Sequence, residues 1–412
     1  MTVRISHCRV CGNADLVSVL NLGEQYLTGV FPRGVDEAPS RGPLELVKCH
    51  GQGACGLLQL ANSYDLDEMY GDNYGYRSGL NASMVAHLES SALRIQQIAD
   101  LNPGAIVLDI GSNDGTFLSF FPARCRRVGF DPTIVKFKDL YPVDVETVAD
   151  FFSATSFRTI YGDSKASVVT SFSMFYDLES PIDFVKEIAS VLDPVAGIWV
   201  FEQSYMPLML ERLAYDTVCH EHLEYYGLRQ VQWILRAAGL QVIDVALNDI
   251  NGGSFVVTAA HTSSTAFSAS QSVAEIEKRE LESELLGLTP FFEFRDRVEL
   301  SRAELQETLR EILEQGQTIG GIGASTKGNV LLQYAGITPA EMSAIGDVNP
   351  DKDGRQTPGT WIPICSEQAL LATEPDYLLV LPWHFREFFI SSPVFAGRKL
   401  IFPLPRVEIV TP

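Results

Sequence analysis

The chain has 412 residues, of which 46% are hydrophobic and 20% charged, and its formal net charge is −21. Its length and composition predict a globular protein of two or three domains. The acidic balance argues against a nucleic-acid partner, because phosphate binding needs a basic surface. No apolar run approaches ~18 residues and the N-terminus has no apolar signal segment, so we expect no membrane contact and a cytoplasmic location.

Residues 1–66 are rich in Gly, Pro and Cys and have little helical periodicity, which indicates a separate N-terminal module. From residue 67 to about 250, helix-like and strand-like segments alternate. The spacing predicts a helix over Ser83–Asp100 and four short strands at Ala105–Ile110, Arg127–Phe130, Ala166–Thr170 and Gly197–Glu202. Such alternation predicts an α/β domain with a mostly parallel sheet and helices on both faces.

Residues 251–412 are expected to form a second, smaller α/β domain. A polar break at His261–Ser272 precedes a charged helical stretch from Val273 to about Glu314, which we expect to kink near Pro290. Its charge pattern is typical of a solvated helix face. Strand signals resume at Thr318–Ile322, Ala344–Asp347 and Tyr377–Leu381.

Four of the seven cysteines lie in the first 55 residues, as Cys8-x-x-Cys11 and then Cys49 and Cys55. Thiolates bind zinc tetrahedrally, and two close pairs make a closed structural site that contributes to folding. The second pair is wider than the usual spacing, so His7 or His50 could replace a cysteine ligand. Four reduced core cysteines are the alternative.

A predicted strand ends at Asp109, and glycines follow it in the stretch VLDIGSNDG (Val107 to Gly115). Glycines at the carboxyl end of a strand allow a tight turn and a close approach to a ligand. The pattern D-x-G-x-x-x-G resembles the first motif of class I methyltransferases that use S-adenosylmethionine (SAM). Similarly placed residues follow in order, and the full cofactor-site prediction is Asp109, Gly111, Asn113, Gly115, Asp131, Asp150, Phe151 and Ser171. A Rossmann-like domain that binds another nucleotide, or none, is the alternative.

The segment YDTVCHEHLEYYG (Tyr215 to Gly227) places His220, Glu221 and His222 together. It lacks the H-E-x-x-H spacing of zinc proteases. A second metal site and a structural polar network are alternatives to an active site here.

The order of these motifs resembles the zinc-containing sugar C-methyltransferases, which methylate a carbon of a nucleotide-linked deoxy-keto sugar. The resemblance covers the whole chain and rests on the four cysteines, YGYRSG, the SAM motif, CHEH, NGGS, GIGASTKGN and DVNPDKDGRQTPG. It implies a class I methyltransferase domain between a zinc module and a C-terminal Rossmann-like domain. It also implies that His222 is the base, that Glu221 orients or polarises, and that His220 supports. Tyr76 would close over the methyl group and substrate.

Further residues follow from the resemblance. Tyr225 is expected to donate a hydrogen bond in the site, and Tyr74 to contact the substrate. The C-terminal candidates for holding the nucleotide-sugar are Ser325, Lys327, Asn329, Lys352, Arg355 and His384. A ligand-free turn at 321–329, an Arg355–Asp pair and a surface His384 are the structural alternatives.

Two positions depart from the family pattern. Cys219 stands where a Tyr often precedes H-E-H, and the loop with Phe175 and Tyr176 lacks an expected His. Both changes remove polar groups that would contact a keto sugar. We expect a SAM-dependent enzyme acting on a nucleotide-linked keto sugar, as a monomer or weak homo-oligomer. An O- or N-methyltransferase and an inactive zinc- and nucleotide-binding scaffold are the alternatives.

Overall fold

The computed structural model describes residues 2–64 and 77–412. The strands in these ranges form sheets of seven, six, four and two strands. No helix within these ranges is both long and apolar enough to cross a membrane. The predicted site residues Tyr74 and Tyr76 lie outside the described residues.

The N-terminal module is built from antiparallel strands. They are β1 (Val3–Arg4), β2 (Leu16–Tyr26), β3 (Arg41–Cys49), β4 (Leu58–Leu60) and β5 (Asn62–Ser63). Strand β1 pairs with β5, whereas β2, β3 and β4 form a sheet whose fourth strand comes from residues Glu224–Tyr225. The module therefore depends on a segment far along the chain.

The central domain contains the seven-stranded sheet. Its helices are α1 (Ala82–Ile98), α2 (Thr116–Ser119), α3 (Ile134–Phe137), α4 (Ala154–Tyr161), α5 (Pro181–Val191), α6 (Met206–Glu211) and α7 (Leu228–Ala237). The strands of this region are β6 (Ile106–Ile110), β7 (Arg126–Phe130), β8 (Val145–Val148), β9 (Val168–Phe172), β10 (Ile198–Ser204), β11 (Glu224–Tyr225), β12 (Leu240–Asn248) and β13 (Ser254–His261).

The order of the seven-stranded sheet is β12-β13-β10-β9-β6-β7-β8. Strand β13 runs antiparallel to both neighbours, and the other pairs are parallel. This is the class I methyltransferase fold, so the predicted fold class is confirmed. Strand β13 follows residue 250, and the sheet therefore extends beyond the expected domain boundary.

The C-terminal domain has a six-stranded sheet in the order β16-β15-β14-β17-β18-β19, parallel except for β19. Its strands are β14 (Ile319–Ile322), β15 (Ile345–Asp347), β16 (Ile364–Ser366), β17 (Tyr377–Val380), β18 (Lys399–Phe402) and β19 (Glu408–Val410). The helices after β13 are α8 (Gln271–Glu282), α9 (Thr289–Glu314), α10 (Thr326–Ala335), α11 (Glu367–Leu371) and α12 (Arg386–Ser391).

The charged helical stretch is two helices rather than one kinked helix. Helix α8 ends at Glu282 and α9 begins at Thr289, so the helical structure is interrupted before Pro290. Pro290 lies in the first turn of α9, where its missing N–H leaves no helix hydrogen bond unmade. The expected kink near Pro290 was therefore wrong in form, because proline starts the second helix.

One buried apolar cluster joins the N-terminal sheet to the C-terminal domain. It includes Leu46 of β3, Leu305 of α9 and Val330 of α10. A second cluster joins the cysteine loops to the central sheet, through Leu57, Phe201 and Tyr226. Both domains therefore pack against the small module.

Arg9, inside the Cys8–Cys11 loop, ties the module to the central domain. Its buried guanidinium donates to the carbonyls of Leu60 (2.7 Å) and Asn62 (3.2 Å) and to the Glu179 carboxylate (3.1 Å). Its Nε also lies 3.9 Å from the fully buried carboxylate of Glu224 in β11. Removing such a cation leaves buried acceptors without a donor.

We expect Arg9→Met to lower the free energy of unfolding by roughly 3–5 kcal/mol, the usual cost of removing one partner of a buried ion pair. Arg4→Met is the matched control, because Arg4 pairs with Glu45 at 2.6 Å while its side chain is 59% exposed. An exposed pair contributes about 1 kcal/mol or less. Urea unfolding of both variants measures the difference, and equal losses would contradict this account of Arg9.

Candidate active site and zinc centre

The turn after β6 has the backbone that its glycines predict. Gly111, Asn113 and Gly115 have φ angles of 75°, 50° and 76°. A Cβ on Gly111 would lie 3.1 Å from Cγ of Met174, so a side chain there would crowd the turn. Asp109 accepts a hydrogen bond from Thr170 Oγ1 at 2.6 Å, and burial raises its pKa to about 7.

Asp131 at the end of β7 holds this turn in place. Its carboxylate accepts from the backbone N–H of Asn113 at 2.9 Å and of Thr133 at 2.7 Å. Asp150 and Phe151 follow β8, and the Phe151 ring is 52% exposed. Gly111, Asp131 and Asp150 therefore follow the carboxyl ends of β6, β7 and β8.

Ser171 is differently placed. Its side chain is fully buried, and its Oγ accepts a hydrogen bond from Trp199 Nε1 at 3.0 Å. Met174 contacts the Gly111 turn and was not singled out from the sequence, because its own position has no motif.

The same turn also anchors the chain that follows the YGYR stretch. Asn113 Oδ1 accepts from the N–H of Ser78, and Asp114 Oδ2 accepts from the N–H of Gly79, both at 3.0 Å. Arg77 Nε lies 3.7 Å from Asp114. The carboxyl end of this segment is therefore fixed directly to the glycine turn.

The four predicted cysteines converge in the N-terminal module. The Sγ atoms of Cys8, Cys11, Cys49 and Cys55 all lie within 4.8 Å of one another. This all-sulfur cluster fits tetrahedral zinc. Neither His7 nor His50 belongs to the group, and His7 Nδ1 instead lies 2.8 Å from Ser6 Oγ.

His222 is oriented through one ring nitrogen. Its Nδ1 lies 2.9 Å from the Thr217 carbonyl oxygen, which can only accept, so Nδ1 carries the proton and Nε2 is the basic nitrogen. The ring packs against Tyr176 with centroids 4.2 Å apart. Burial and the charge of Lys327 lower the pKa of His222 to about 3, so the imidazole is neutral near pH 7.

Glu221 extends toward the N-terminal loop. A Cβ on Gly29 would lie 2.5 Å from Glu221 Oε1, so only glycine leaves room for this carboxylate. The buried Oε2 has no hydrogen-bond partner in residues 2–64 and 77–412. Burial raises the pKa of Glu221, which also hydrogen-bonds to the Cys219 thiol.

The neighbours of this pair have structural contacts. His220 is fully buried, with Nε2 3.3 Å from the Gly42 carbonyl and its ring against Tyr64. Tyr225 donates to the Thr217 carbonyl at 3.3 Å, the same oxygen that orients His222. His220 therefore attaches the histidine segment to the N-terminal module, and Tyr225 attaches it to the Thr217 backbone.

The C-terminal candidates divide into two groups. Helix α10, which carries Lys327, packs against residues 215–217, and the Thr217 carbonyl of that segment binds His222. The charge of Lys327 lowers the pKa of both His222 and His384. Asn329 instead donates to the Thr28 carbonyl at 2.7 Å, and Arg355 to the Phe31 carbonyl at 2.9 Å.

These two contacts anchor the loop that carries Gly29. Ser325 caps α10 by accepting from the Gly328 N–H at 3.0 Å, and Lys352 donates to the Ala324 carbonyl at 2.6 Å. Arg355 also bonds to the Asp351 carbonyl at 2.8 Å, not to an acidic side chain.

Two polar groups were missed by sequence reasoning. Asp216 is buried and accepts from Trp383 Nε1 at 2.8 Å, across 167 positions of sequence. Glu202 is buried between His87 Nε2 (2.8 Å) and Asn248 Nδ2 (2.9 Å). Neither contact has a local signal, although Glu202 stands at a predicted strand end.

Three family models match the chain in order: "Putative zinc binding domain" over 8–70, "Methyltransferase domain" over 86–245, and "C-methyltransferase C-terminal domain" over 249–405. The chain is 29% identical over 420 residues to the C-methyltransferase NovU of Streptomyces niveus, covering 99% of this chain and 97% of that protein. Together these matches identify the chain as a SAM-dependent C-methyltransferase with an N-terminal zinc-binding domain.

Two solved structures are similar to part of this chain. A chain of the Haloferax volcanii complex between the Trm112 methyltransferase activator and a methyltransferase has 16% identity and a TM-score of 0.36, covering 44% of this chain and 94% of its own. The magnesium protoporphyrin IX methyltransferase of Synechocystis PCC 6803, with bound SAH, has 15% identity and a TM-score of 0.35, covering 47% and 91% respectively.

The zinc centre of the C-methyltransferase is open to a direct test. We expect Cys11→Ser to lower the zinc content from about one atom per chain to near zero and to destabilise the module, because metal binding contributes to folding. Cys365→Ser is the control, since Cys365 lies outside the cluster. Elemental analysis and thermal unfolding report both effects, and unchanged zinc in Cys11→Ser would refute this ligand set.

The glycine turn predicts a second result. A Cβ on Gly115 would lie 2.6 Å from the Tyr141 ring, whose hydroxyl donates to the Asn113 carbonyl at 2.8 Å. We expect Gly115→Ala to weaken SAM binding by about tenfold or more, since strain of this kind costs on the order of 1–3 kcal/mol.

Gly104→Ala is the matched control for Gly115→Ala. Gly104 also has a positive φ, +87°, but its Cβ would meet nothing within 4 Å. Calorimetric titration with SAM should show a change for Gly115→Ala alone. Equal changes in the two variants would mean that the backbone angle, and not the turn, controls affinity.

Proposed function

We propose that this enzyme methylates the carbon next to the ketone of a nucleotide-diphosphate-linked keto-deoxysugar, with His222 as the base. The observation that carries the proposal is a neutral imidazole whose Nδ1 is bonded to the Thr217 carbonyl. Its Nε2 has no hydrogen bond within the described ranges. Carbon methylation requires a base at this point, because a carbon acid must lose a proton before it becomes nucleophilic, and a neutral imidazole can accept that proton.

The donor site in this proposal is the glycine turn. Gly111, Asn113 and Gly115 would accommodate SAM closely, with Asp131 at the ribose and the exposed Phe151 ring beside the adenine. Asp109 and Asp150 would complete the polar contacts. The open backbone and the fixed carboxylates support this assignment. When bound, SAM supplies an electrophilic methyl group.

His222 Nε2 takes the proton from the carbon next to the ketone, the C–H electron pair forms a C=C bond, and the carbonyl π pair moves to oxygen. SAM bound at the glycine turn would supply the methyl group, and its sulfur would keep the C–S electron pair as the enolate carbon bonds to that methyl. His222 finally releases its proton to solvent. The chain's contribution is to orient the base and stabilise the oxygen.

Glu221 is a second binding group in this proposal. Its Oε2 is buried without a partner among the described residues, so it is suited to accept a hydrogen bond from a hydroxyl of the sugar. Its raised pKa also allows it to donate while protonated. Cys219 is fully buried and contacts Glu221, so it would act through that carboxyl and not on the substrate.

We expect His222→Asn to lower both methylation and deuterium exchange at the acceptor carbon by on the order of 10²–10⁴, the usual contribution of a general base. The enzyme is incubated in D2O with thymidine-, cytidine- or guanosine-diphospho keto sugars, with and without SAM, and mass spectrometry follows incorporation. His261→Asn, in β13, is the control. If wild-type protein exchanges no keto sugar, the substrate assignment fails.

Acid pH separates this base from an ordinary histidine. The lowered pKa of about 3 keeps His222 unprotonated as the pH falls from 8 to 5. The rate of deuterium exchange by the wild-type enzyme should therefore not fall as the pH drops through about 6.5, the reference pKa of histidine in solution. A rate that halves near that pH would contradict the burial of the base.

A further inference from the structure

Lys327 lies close to the segment that carries His222, although the family resemblance implies that it holds the nucleotide-sugar. It is the second residue of α10 and its side chain is half-buried. Its Nζ donates to the Asn251 carbonyl at 2.5 Å, and Nζ makes no second hydrogen bond in residues 2–64 and 77–412. Two of its three N–H groups therefore remain for a ligand.

Buried polar groups lie close to Lys327 and point to a ligand. The Asp216 carboxylate raises the pKa of Lys327 against the lowering caused by burial. Asp216 Oδ2 is bound to Trp383, while its Oδ1 finds no partner in the described part of the chain. His384 Nδ1 and Glu221 Oε2 are also buried and unpartnered within those residues. Asp216 and His384 both interact electrostatically with Lys327, so their unpartnered atoms indicate a built polar site at this ammonium.

The position of this cation matters for the base. A positive charge beside an imidazole opposes proton uptake, which would weaken His222 if nothing else changed. The penalty disappears when a negative charge forms at the same place as the proton is taken up. Enolisation does this, because the oxygen that becomes negative is attached to the atom next to the carbon that loses the proton.

We propose that Lys327 donates a hydrogen bond to the ketone oxygen of the acceptor and stabilises the enolate oxygen that forms when His222 removes the proton. The inference rests on the proposed function and adds a catalytic residue from the C-terminal domain. No proton leaves Lys327 in this step, and the negative charge is held between its ammonium and the imidazolium.

The test separates an enolate donor from a diphosphate ligand. In Lys327→Met, deuterium exchange without SAM and kcat should both fall by about 10²–10³, the usual cost of one oxyanion donor, while KM changes by less than about threefold. Calorimetric affinities for thymidine, cytidine and guanosine diphosphate should stay unchanged. Lys399→Met is the control from the same domain. A large loss of nucleoside diphosphate affinity with unchanged kcat would assign Lys327 to phosphate and overturn the proposal.

A second variant gives a readout that a structural role would not change. Since burial lowers the pKa of Lys327, wild-type exchange should decline at alkaline pH as the ammonium is lost. The other titratable groups facing it are Asp216, Cys219, His222 and His384. Lys327→Arg should keep part of the activity and move this limb to higher pH, because guanidinium does not deprotonate there.

The outcomes distinguish the two levels of the proposal. If the wild-type protein exchanges deuterium and both Lys327→Met and Lys327→Arg do so at the same rate, the role of Lys327 is rejected and the proposed reaction stands. Absence of exchange in the wild-type protein rejects both. An alkaline limb at the same pH in all three proteins also overturns the lysine assignment.

Discussion

Two residues of the histidine segment, Glu224 and Tyr225, complete the edge of the N-terminal sheet by pairing with Gln59 and Leu58. Because His222 stands two positions earlier, this ladder determines where the imidazole lies. The backbone bond from Leu60 N–H to the Leu223 carbonyl at 2.8 Å extends the same attachment. The small module therefore holds the segment that carries His222 in position, and the cysteine cluster holds the loops of that module together.

The electrostatic design follows from this attachment. The histidine segment is largely buried and removed from water. A buried polar group without a hydrogen-bond partner lowers the stability of the protein. His220 and Tyr225 have carbonyl partners, whereas Glu221 Oε2 and Asp216 Oδ1 have none among the described residues. Asp216 interacts electrostatically with Lys327, and the Gly29 loop lies against Glu221.

Sequence patterns predicted the features that are local. The turn from Gly111 to Gly115 and the central strands were placed to within a few residues, because backbone conformation and periodicity are written in adjacent positions. The cysteine cluster was also predicted, since ligand chemistry limits the choices. The Asp216–Trp383 bond, the His87–Glu202 pair and the approach of Lys327 to His222 join distant segments, and no spacing encodes them. The break before Pro290 was misjudged because proline marks a helix start as readily as a kink.

The borrowed strand β11 has a consequence for how such enzymes diversify. A module whose sheet is finished by residues 224–225 cannot be exchanged between relatives as an independent unit, since β4 would lose its neighbour and expose an open edge. The loop at 28–31 is likewise held by Asn329 and Arg355 of the C-terminal domain. Recombination at domain boundaries would therefore break the site. New acceptor preferences in this architecture should arise by substitution within the shared segments and not by shuffling of whole domains.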